Sequence, residues 1–400
     1  MMRRNPASSA ELRALATLWL CGICLRITVL AIPPVIPLMH QSFTLSQSAV
    51  GALTSLPVLL FSFAAIPGSL LVARFGAGRV LTAGIFVTAL ASGMRGLADN
   101  VAMLFAMTFF MGVGIAVMQP ALPAVVRDWV PRRLALGTAT YANALLVGEA
   151  ISASFTIPWV LPALDNSWRA SLWFWAVPVF AIGLVCAAMT ARHARETTAP
   201  TAPRRWWPDF RDALTWKLGL LSGFASSLYF GTNAFLPDYL AARGRPDLLP
   251  HALASLNWVQ IPASILMLVF AERITRRRGP FLVLTIAALA SLAGLLYLPD
   301  RWVVVCSGIL GFCNAFMLIL TLALPPLLAE ADDVHRLSAA MIAIGYLSAF
   351  FAPIAGGLLW DLTGIPEMAF APTATFGVAA LLIAVSLRFD ANVAARRPTP

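Results

Sequence analysis

The chain has 400 residues, of which 60% are hydrophobic and 12% are charged, and its mean hydropathy is +0.81. Soluble domains carry about a quarter charged residues, so this composition excludes an ordinary soluble protein and indicates a membrane protein. The net charge of +10 would suit a nucleic-acid-binding protein, but the basic residues form short clusters between hydrophobic runs. We therefore expect a lipid bilayer around the chain and no nucleic-acid partner.

Twelve hydrophobic segments are long enough to be transmembrane helices, each of which needs about 20 apolar residues. Six of them lie in the first half, at 14–38, 47–73, 79–97, 101–127, 134–160 and 168–191. Six more lie in the second half, at 216–240, 251–275, 279–298, 302–329, 336–360 and 368–389. The sequence therefore predicts an all-α membrane protein with twelve transmembrane helices.

The stretch 192–215 separates the two sets of six and is rich in charge, Thr and Pro, which is typical of a linker. We predict an N-terminal six-helix bundle at 1–191, a cytoplasmic linker at 192–215 and a C-terminal six-helix bundle at 216–400. Nothing at the N-terminus resembles a cleaved signal peptide, because no short apolar core with a small-residue cleavage site follows its arginines. The first segment is therefore expected to remain a transmembrane helix.

Basic residues indicate the orientation, since loops rich in Lys and Arg stay in the cytoplasm. With the N-terminus inside, 22 of the 28 Lys and Arg residues fall on the cytoplasmic side. Five fall on the other side, namely Arg95, Arg169, Arg243, Arg245 and Arg301, and the remaining one, Arg26, lies well inside the first predicted span. We expect both termini to be cytoplasmic in a bacterial-type inner membrane.

The two halves repeat short patterns at an offset of about 203 residues. The Ala-Leu-Pro of 121–123 recurs at 323–325, and Pro57 pairs with Pro262 in the same order. Inverted or parallel repeats of this kind are a feature of secondary transporters, whose substrate site lies near the membrane midplane at the repeat interface. The repeat predicts two pseudo-symmetric six-helix bundles with a cavity between them.

Arg26 is the sharpest candidate for substrate binding. An arginine at the centre of a transmembrane helix costs roughly 2.5–3.5 kcal/mol, so it normally faces a cavity or a partner. Its guanidinium is a planar fork of donors that suits a carboxylate or another small anion. We predict an anion anchor; the alternative is a structural pair with a buried carboxylate or with helix-end carbonyl groups.

Glu149 is the carboxylate that lies deep within a predicted span. Burial would favour its protonated form, which makes it a candidate proton carrier, whereas proximity to Arg26 would hold it ionised in a charge pair. A position toward a loop or the membrane interface is the third interpretation. We predict a role in proton coupling and leave its contact with Arg26 open.

Uncharged polar residues recur at helical spacing within other spans, and their amides and hydroxyl groups can bind a polar solute or bond across helices. Tyr229 and Asn233 are four residues apart, as expected for neighbours on one helix face. The predicted cavity-lining set is Gln119, Tyr229, Asn233, Asn257, Gln260 and Asn314.

The turn Ala-Arg-Phe-Gly at 73–76 resembles the cytoplasmic signature of the major facilitator superfamily, although Ala73 stands where that signature commonly has aspartate. An Arg-Phe-Gly turn without the acid is similar to the branch of cyanate permeases and nitroimidazole exporters. Leu-Arg at 25–26, Arg-Asp-Trp-Val-Pro-Arg at 127–132 and the Trp-rich run at 171–178 also resemble that branch.

This resemblance implies a major facilitator fold and a small anion or small polar heterocycle as cargo. It also implies a path lined by the first, fourth, seventh and tenth helices, which favours Gln119, Asn233 and Asn314 among the candidates.

No nucleotide-binding, esterase or zinc-protease motif occurs in the sequence, so we expect no enzyme. The cysteines lie in apolar runs and the histidines in connecting segments, so we expect no metal site and no cofactor.

The prediction is a secondary transporter, expected to be monomeric, that moves a cyanate-like anion or small organic acid, with a proton as the candidate coupling ion. The alternatives are an exporter of a small heterocycle such as a nitroimidazole, and a non-transporting membrane sensor on the same fold.

Overall fold

The computed structural model describes residues 9–63, 65–192, 210–274, 277–328 and 334–386, and within these ranges every regular element is a helix. The helices of the first half are α1 (Ser9–Cys24), α2 (Gln47–Phe63), α3 (Ala65–Phe75), α4 (Ala77–Arg95), α5 (Val101–Trp129), α6 (Leu134–Phe155) and α7 (Trp168–Arg192). Those of the second half are α8 (Ala213–Ala242), α9 (Leu249–Trp258), α10 (Gln260–Ile274), α11 (Arg278–Tyr297), α12 (Val303–Leu322), α13 (Val334–Thr363) and α14 (Ala371–Ser386). Most of the predicted linker, 193–209, lies outside the described residues.

Eight described helical spans are long and apolar enough to cross a membrane, and α2 with α3 gives a ninth when the two count as one bent span. The helix α8 is also long, at 30 residues, but it carries many Ser, Thr and Asn side chains. Its residues 221–240 are buried without interruption. A helix that protein covers on all sides needs no apolar surface toward lipid, which explains its polar composition.

The first predicted span, 14–38, is not one continuous helix. The helix α1 ends at Cys24, and residues 25–32 form a series of turns before a short helical turn begins at Pro33. Pro33 and Pro34 have no backbone N–H, so they cannot complete the helical hydrogen bonds of the residues four positions earlier. Arg26 therefore lies in an interruption of the span and not within a regular helix.

The eighth span is interrupted in a similar way between α9 and α10. Only Val259 separates the two helices, and its backbone nitrogen is 3.4 Å from the carbonyl oxygen of Ser255, which is a long hydrogen bond. Pro262 follows within the first turn of α10 and cannot donate to the carbonyl of Trp258. Asn257 and Gln260 therefore stand on opposite sides of a helix break.

The described chain divides into two compact units. The N-terminal unit comprises Met1–Phe43 and Phe63–Pro200, and the C-terminal unit comprises Thr44–Ser62 and Thr201–Pro400. The predicted domain bounds 1–191, 192–215 and 216–400 differ from this division mainly at 44–62 and stay a prediction.

In the N-terminal unit, α4 packs against α5 and α7, while α1 packs along α6. In the C-terminal unit, α8 packs along α13, and α12 contacts α8, α9, α10 and α11. The helix α2 belongs to this second unit. The Asp361 carboxylate at the end of α13 accepts hydrogen bonds from the backbone N–H groups of Gln47 and Ser48, both at 2.8 Å, and so caps the first turn of α2.

Candidate functional site

Two glycines bring α1 and α6 into backbone contact. A Cβ atom on Gly22 would lie 2.5 Å from the carbonyl oxygen of Tyr141, and one on Gly148 would lie 2.7 Å from the carbonyl oxygen of Ile23. Small residues at such positions let transmembrane helices approach closely. Arg26 comes one turn after Gly22, and Glu149 comes directly after Gly148, so this contact brings the two charged side chains together.

Arg26 and Glu149 form a buried ion pair. The Nε of Arg26 is 3.3 Å from Oε1 of Glu149, and their side chains are only 12% and 6% exposed. The sequence predicted both residues as candidates and left their contact open; the structure places them side by side in the N-terminal unit. Each charge offsets the desolvation of the other, and loss of one partner would leave an uncompensated buried charge.

Arg95 is a buried basic residue that the sequence analysis counted on the non-cytoplasmic side, at the end of the predicted span 79–97. It is the last residue of α4, and its side chain is 0% exposed. Its Nη2 donates to the carbonyl oxygen of Thr28 at 2.9 Å and to Oγ of Ser92 at 2.8 Å. Hydropathy cannot tell an exposed arginine at the end of a span from a buried one, which is why this residue was not among the predicted site residues.

Gln119, the remaining candidate in the N-terminal unit, is half-buried on α5 and directly precedes Pro120. No hydrogen bond joins it to Arg26 or Glu149 in the part of the chain that the structure describes.

Three of the candidates in the C-terminal unit form one neutral network. The hydroxyl of Tyr229 donates to Oδ1 of Asn257 at 2.8 Å, and Nδ2 of Asn257 donates to Oδ1 of Asn233 at 3.1 Å. The same Nδ2 also donates to the carbonyl oxygen of Leu253 at 2.9 Å. Asn257 thus uses its oxygen and its amide protons to connect α9 with α8.

Gln260 and Asn314 form a separate pair. The Nδ2 of Asn314 donates to Oε1 of Gln260 at 3.2 Å, and both side chains are buried. Among the described residues, Nε2 of Gln260 has no acceptor. No hydrogen bond joins this pair to the Asn257 network among the described residues, although Asn257 and Gln260 are only three residues apart.

No group of three or more His, Cys, Asp and Glu residues that could hold a metal ion is found within the described ranges. The chemistry that the arrangement supports is binding. The N-terminal unit offers a charged pair with a second guanidinium, and the C-terminal unit offers amide and hydroxyl groups.

Comparison with known proteins places this arrangement in a family. The chain matches the family model of the Major Facilitator Superfamily over residues 18–256. It is 28% identical over 389 residues to the cyanate transport protein CynX of Escherichia coli, covering 94% of this chain and 96% of that protein. It is 24% identical over 355 residues to the 2-nitroimidazole transporter of Escherichia coli, covering 88% of each.

The fold is also found among solved structures. A bacterial homolog of the human lysosomal transporter Spinster, in an inward-facing and unoccupied conformation, matches with a TM-score of 0.72. The match covers 95% of this chain and 96% of that one at 14% sequence identity, so it shows a shared fold alone.

Proposed function

Because the chain belongs to the Major Facilitator Superfamily, whose members are transporters and not enzymes, we propose that it is a secondary active transporter for a small anion. The predicted fold class, an all-α membrane protein with twelve transmembrane helices in two pseudo-symmetric six-helix bundles, is confirmed as the major facilitator fold. The family also removes the interpretation as a non-transporting sensor. We propose a cyanate-like ion or a small organic acid as cargo and alternating access as the mechanism.

The observation that carries this proposal is the ion pair of Arg26 and Glu149 at the interruption of the first span. A buried pair of this kind costs desolvation free energy, and apolar side chains would fill the same volume at no such cost. Its presence therefore favours a role in binding or coupling over one in stability. The similarity to a cyanate transport protein supports a small anion as cargo.

In the proposed mechanism, Arg26 binds the negative charge of the cargo, and Glu149 responds to the proton. An anion that approaches the guanidinium competes with the Glu149 carboxylate for the same donors, and protonation of Glu149 relieves that competition. One anion and one proton would then bind together and move together. The pair would reform when both leave, so the cycle links the anion to the proton gradient.

We assign the neutral candidates to cargo contact in each unit separately. Gln260 has a buried amide donor, and Asn314 holds that amide in place. Tyr229, Asn233 and Asn257 hold α8 against α9 and can give a hydroxyl or amide to a polar solute if their network opens. Gln119 is the proposed polar contact on α5.

A neutral heterocycle such as a nitroimidazole is the second candidate cargo. It is supported by the similarity to a 2-nitroimidazole transporter and by the uncharged character of the C-terminal network. For that cargo Arg26 and Glu149 would be a structural pair.

We further propose a monomer in a bacterial-type inner membrane, with both termini in the cytoplasm.

Uptake into proteoliposomes tests the proposal. Labelled cyanate and labelled 2-nitroimidazole are offered with and without an inward proton gradient to wild type, Arg26→Gln, Glu149→Gln and the double variant Arg26→Gln/Glu149→Gln. Arg301→Gln, an exposed arginine, is the matched control. The double variant carries no unpaired charge at this site, so it separates loss of transport from loss of folding.

We expect Arg26→Gln and the double variant to lose cyanate uptake, and Glu149→Gln to retain uptake without its response to the gradient. Arg301→Gln should behave as wild type. Cyanate uptake that survives in the double variant would exclude Arg26 as the anchor. Uptake of 2-nitroimidazole alone, unchanged by Arg26→Gln, would replace the anion with the heterocycle.

A further inference from the structure

We propose that Arg95 is a second anion-binding residue, which holds a small monovalent anion beside the interruption of the first span. The inference rests on the proposed anion transport and adds a residue and a charge requirement to it. It starts from the position of Arg95 at the end of α4, where the side chain is 0% exposed.

The contacts of Arg95 use only one end of its guanidinium. Nη2 donates to the carbonyl oxygen of Thr28 and to Oγ of Ser92, at 2.9 and 2.8 Å. Nε and Nη1 have no acceptor among the described residues, and Oγ1 of Thr28 has no hydrogen-bond partner there either. Buried donors in a protein interior are normally bonded, so these groups are suited to a ligand that accepts hydrogen bonds.

The charges of the N-terminal unit point to an anion of charge −1. Glu149 offsets the charge of Arg26 at 3.3 Å, whereas no ion pair is found for Arg95 in the residues that the structure describes. A guanidinium stays protonated, and an uncompensated charge in a low-dielectric interior is costly. Nε and Nη1 lie on different edges of the guanidinium, so a carboxylate, nitrate or similar ion can accept a charged hydrogen bond from either of these two donors.

Thr28 connects this site with the proposed anchor. It lies two residues after Arg26, within the turns 25–32, and its carbonyl group is held by Arg95. Because Arg95 is fully buried, an anion reaches it only when the surrounding residues rearrange, and the segment 25–32 contacts its guanidinium through Thr28. Binding at Arg95 is therefore linked to the conformation of the segment that carries Arg26.

Arg169 provides a matched control. Its Nη2 donates to the carbonyl oxygen of Ala98 at 2.9 Å, and its guanidinium lies 4.4 Å from the centre of the Trp168 ring. Like Arg95, it holds a carbonyl group after a helix end, but it is only half-buried. Its substitution removes a guanidinium from the same unit but leaves both side-chain hydrogen bonds of Arg95 in place.

The experiment is titration of the purified full-length protein with sodium nitrate and sodium cyanate, followed by calorimetry and by thermal unfolding. The proteins are wild type, Arg95→Gln, Arg95→Lys, Arg169→Gln and Arg26→Gln. We expect anion affinity to fall about tenfold or more in Arg95→Gln, as for loss of charged hydrogen bonds, and to fall less in Arg95→Lys. Arg169→Gln should bind as wild type.

A role confined to capping Thr28 would lower the melting temperature of Arg95→Gln and leave its anion affinity unchanged, and that result would overturn the proposal. If Arg95→Gln is not recovered folded, Arg95→Lys decides: weaker binding supports the anion site, and wild-type affinity overturns it. Loss of binding in Arg26→Gln with full binding in Arg95→Gln removes only this inference. Failure of wild type to bind either anion removes the proposed function as well.

Discussion

The two units place polar groups in their interiors by different means. In the N-terminal unit the site candidates that meet are charged: Arg26 pairs with Glu149, and Arg95 holds the carbonyl of Thr28 beside them. In the C-terminal unit the site candidates are neutral, and Asn257 is the centre of a hydrogen-bond network in which amides and a hydroxyl satisfy one another. The carboxyl group of Asp238, near the end of α8, is also buried in this unit but is not part of that network.

The difference has an energetic consequence. A neutral network loses one or two hydrogen bonds when a member is removed, and such bonds average only about 0.6 kcal/mol within membranes. A buried charge that loses its partner costs about 3–5 kcal/mol, because the remaining charge cannot be hydrated. The N-terminal unit should therefore respond strongly to charge and pH, and the C-terminal unit should respond weakly to both.

The largest effect is expected for Glu149→Leu. This change leaves the Arg26 guanidinium without the carboxylate now 3.3 Å away, and we expect a loss of about 3–5 kcal/mol of stability. Thermal unfolding in detergent measures it. Glu149→Gln, which retains an acceptor, should lose less, and the double variant Arg26→Leu/Glu149→Leu should recover most of the loss. Equal stability of Glu149→Leu and wild type would mean that the pair does not compensate a buried charge.

Gly148→Val tests the helix contact that brings the pair together. A Cβ atom there would lie 2.7 Å from the carbonyl oxygen of Ile23, so α1 and α6 must separate, at a cost of about 1–3 kcal/mol. We expect a lower melting temperature together with weaker anion uptake. Gly279→Ala is the control, since nothing lies within 4 Å of a Cβ atom at that position. Normal uptake in Gly148→Val would show that the close contact does not position Arg26.

Asn257→Leu probes the neutral network of the C-terminal unit. It removes the acceptor of the Tyr229 hydroxyl and the donor to Asn233, and we expect a loss of about 1–2 kcal/mol in stability. The response of uptake to a proton gradient should not change, because no charge is altered. Ser264→Ala serves as control, since that hydroxyl donates only to the carbonyl of Ile261 in its own helix. A changed proton response in Asn257→Leu would remove the distinction between the units.

The smallest effect is expected for an exposed ion pair of the C-terminal unit. A hydrogen bond from Arg245 lowers the pKa of the Asp247 carboxyl group, so the pair stabilises the protein above the ordinary aspartate pKa. That contribution is lost as the pH falls through the lowered pKa of the folded protein. Exposed pairs contribute little, so Asp247→Asn should melt like wild type at neutral pH. A clear drop in its melting temperature would show that charge also matters in this unit.

Hydropathy and the distribution of basic residues were sufficient to predict a multi-pass membrane protein, and the Arg-Phe-Gly turn at 73–76 indicated the family. Lipid imposes these features on the sequence directly, because a spanning helix must be long and apolar and a cytoplasmic loop tends to be basic. The first and eighth predicted spans, however, are interrupted. The prolines at 33 and 34 are visible in the sequence, but they do not reveal that the helix already ends at Cys24.

Contacts between side chains on different helices were beyond such arguments. Arg26 and Glu149 are 123 positions apart in the sequence, and they meet because Gly22 and Gly148 allow α1 to touch α6. Arg95 was counted with the exposed arginines of the non-cytoplasmic side, since hydropathy does not report whether neighbouring helices cover the end of a span. The composition of a helix reflects whether lipid, water or protein surrounds it. The helices that it contacts depend instead on the shapes of surfaces that are far apart in the chain, and only folding brings those surfaces together.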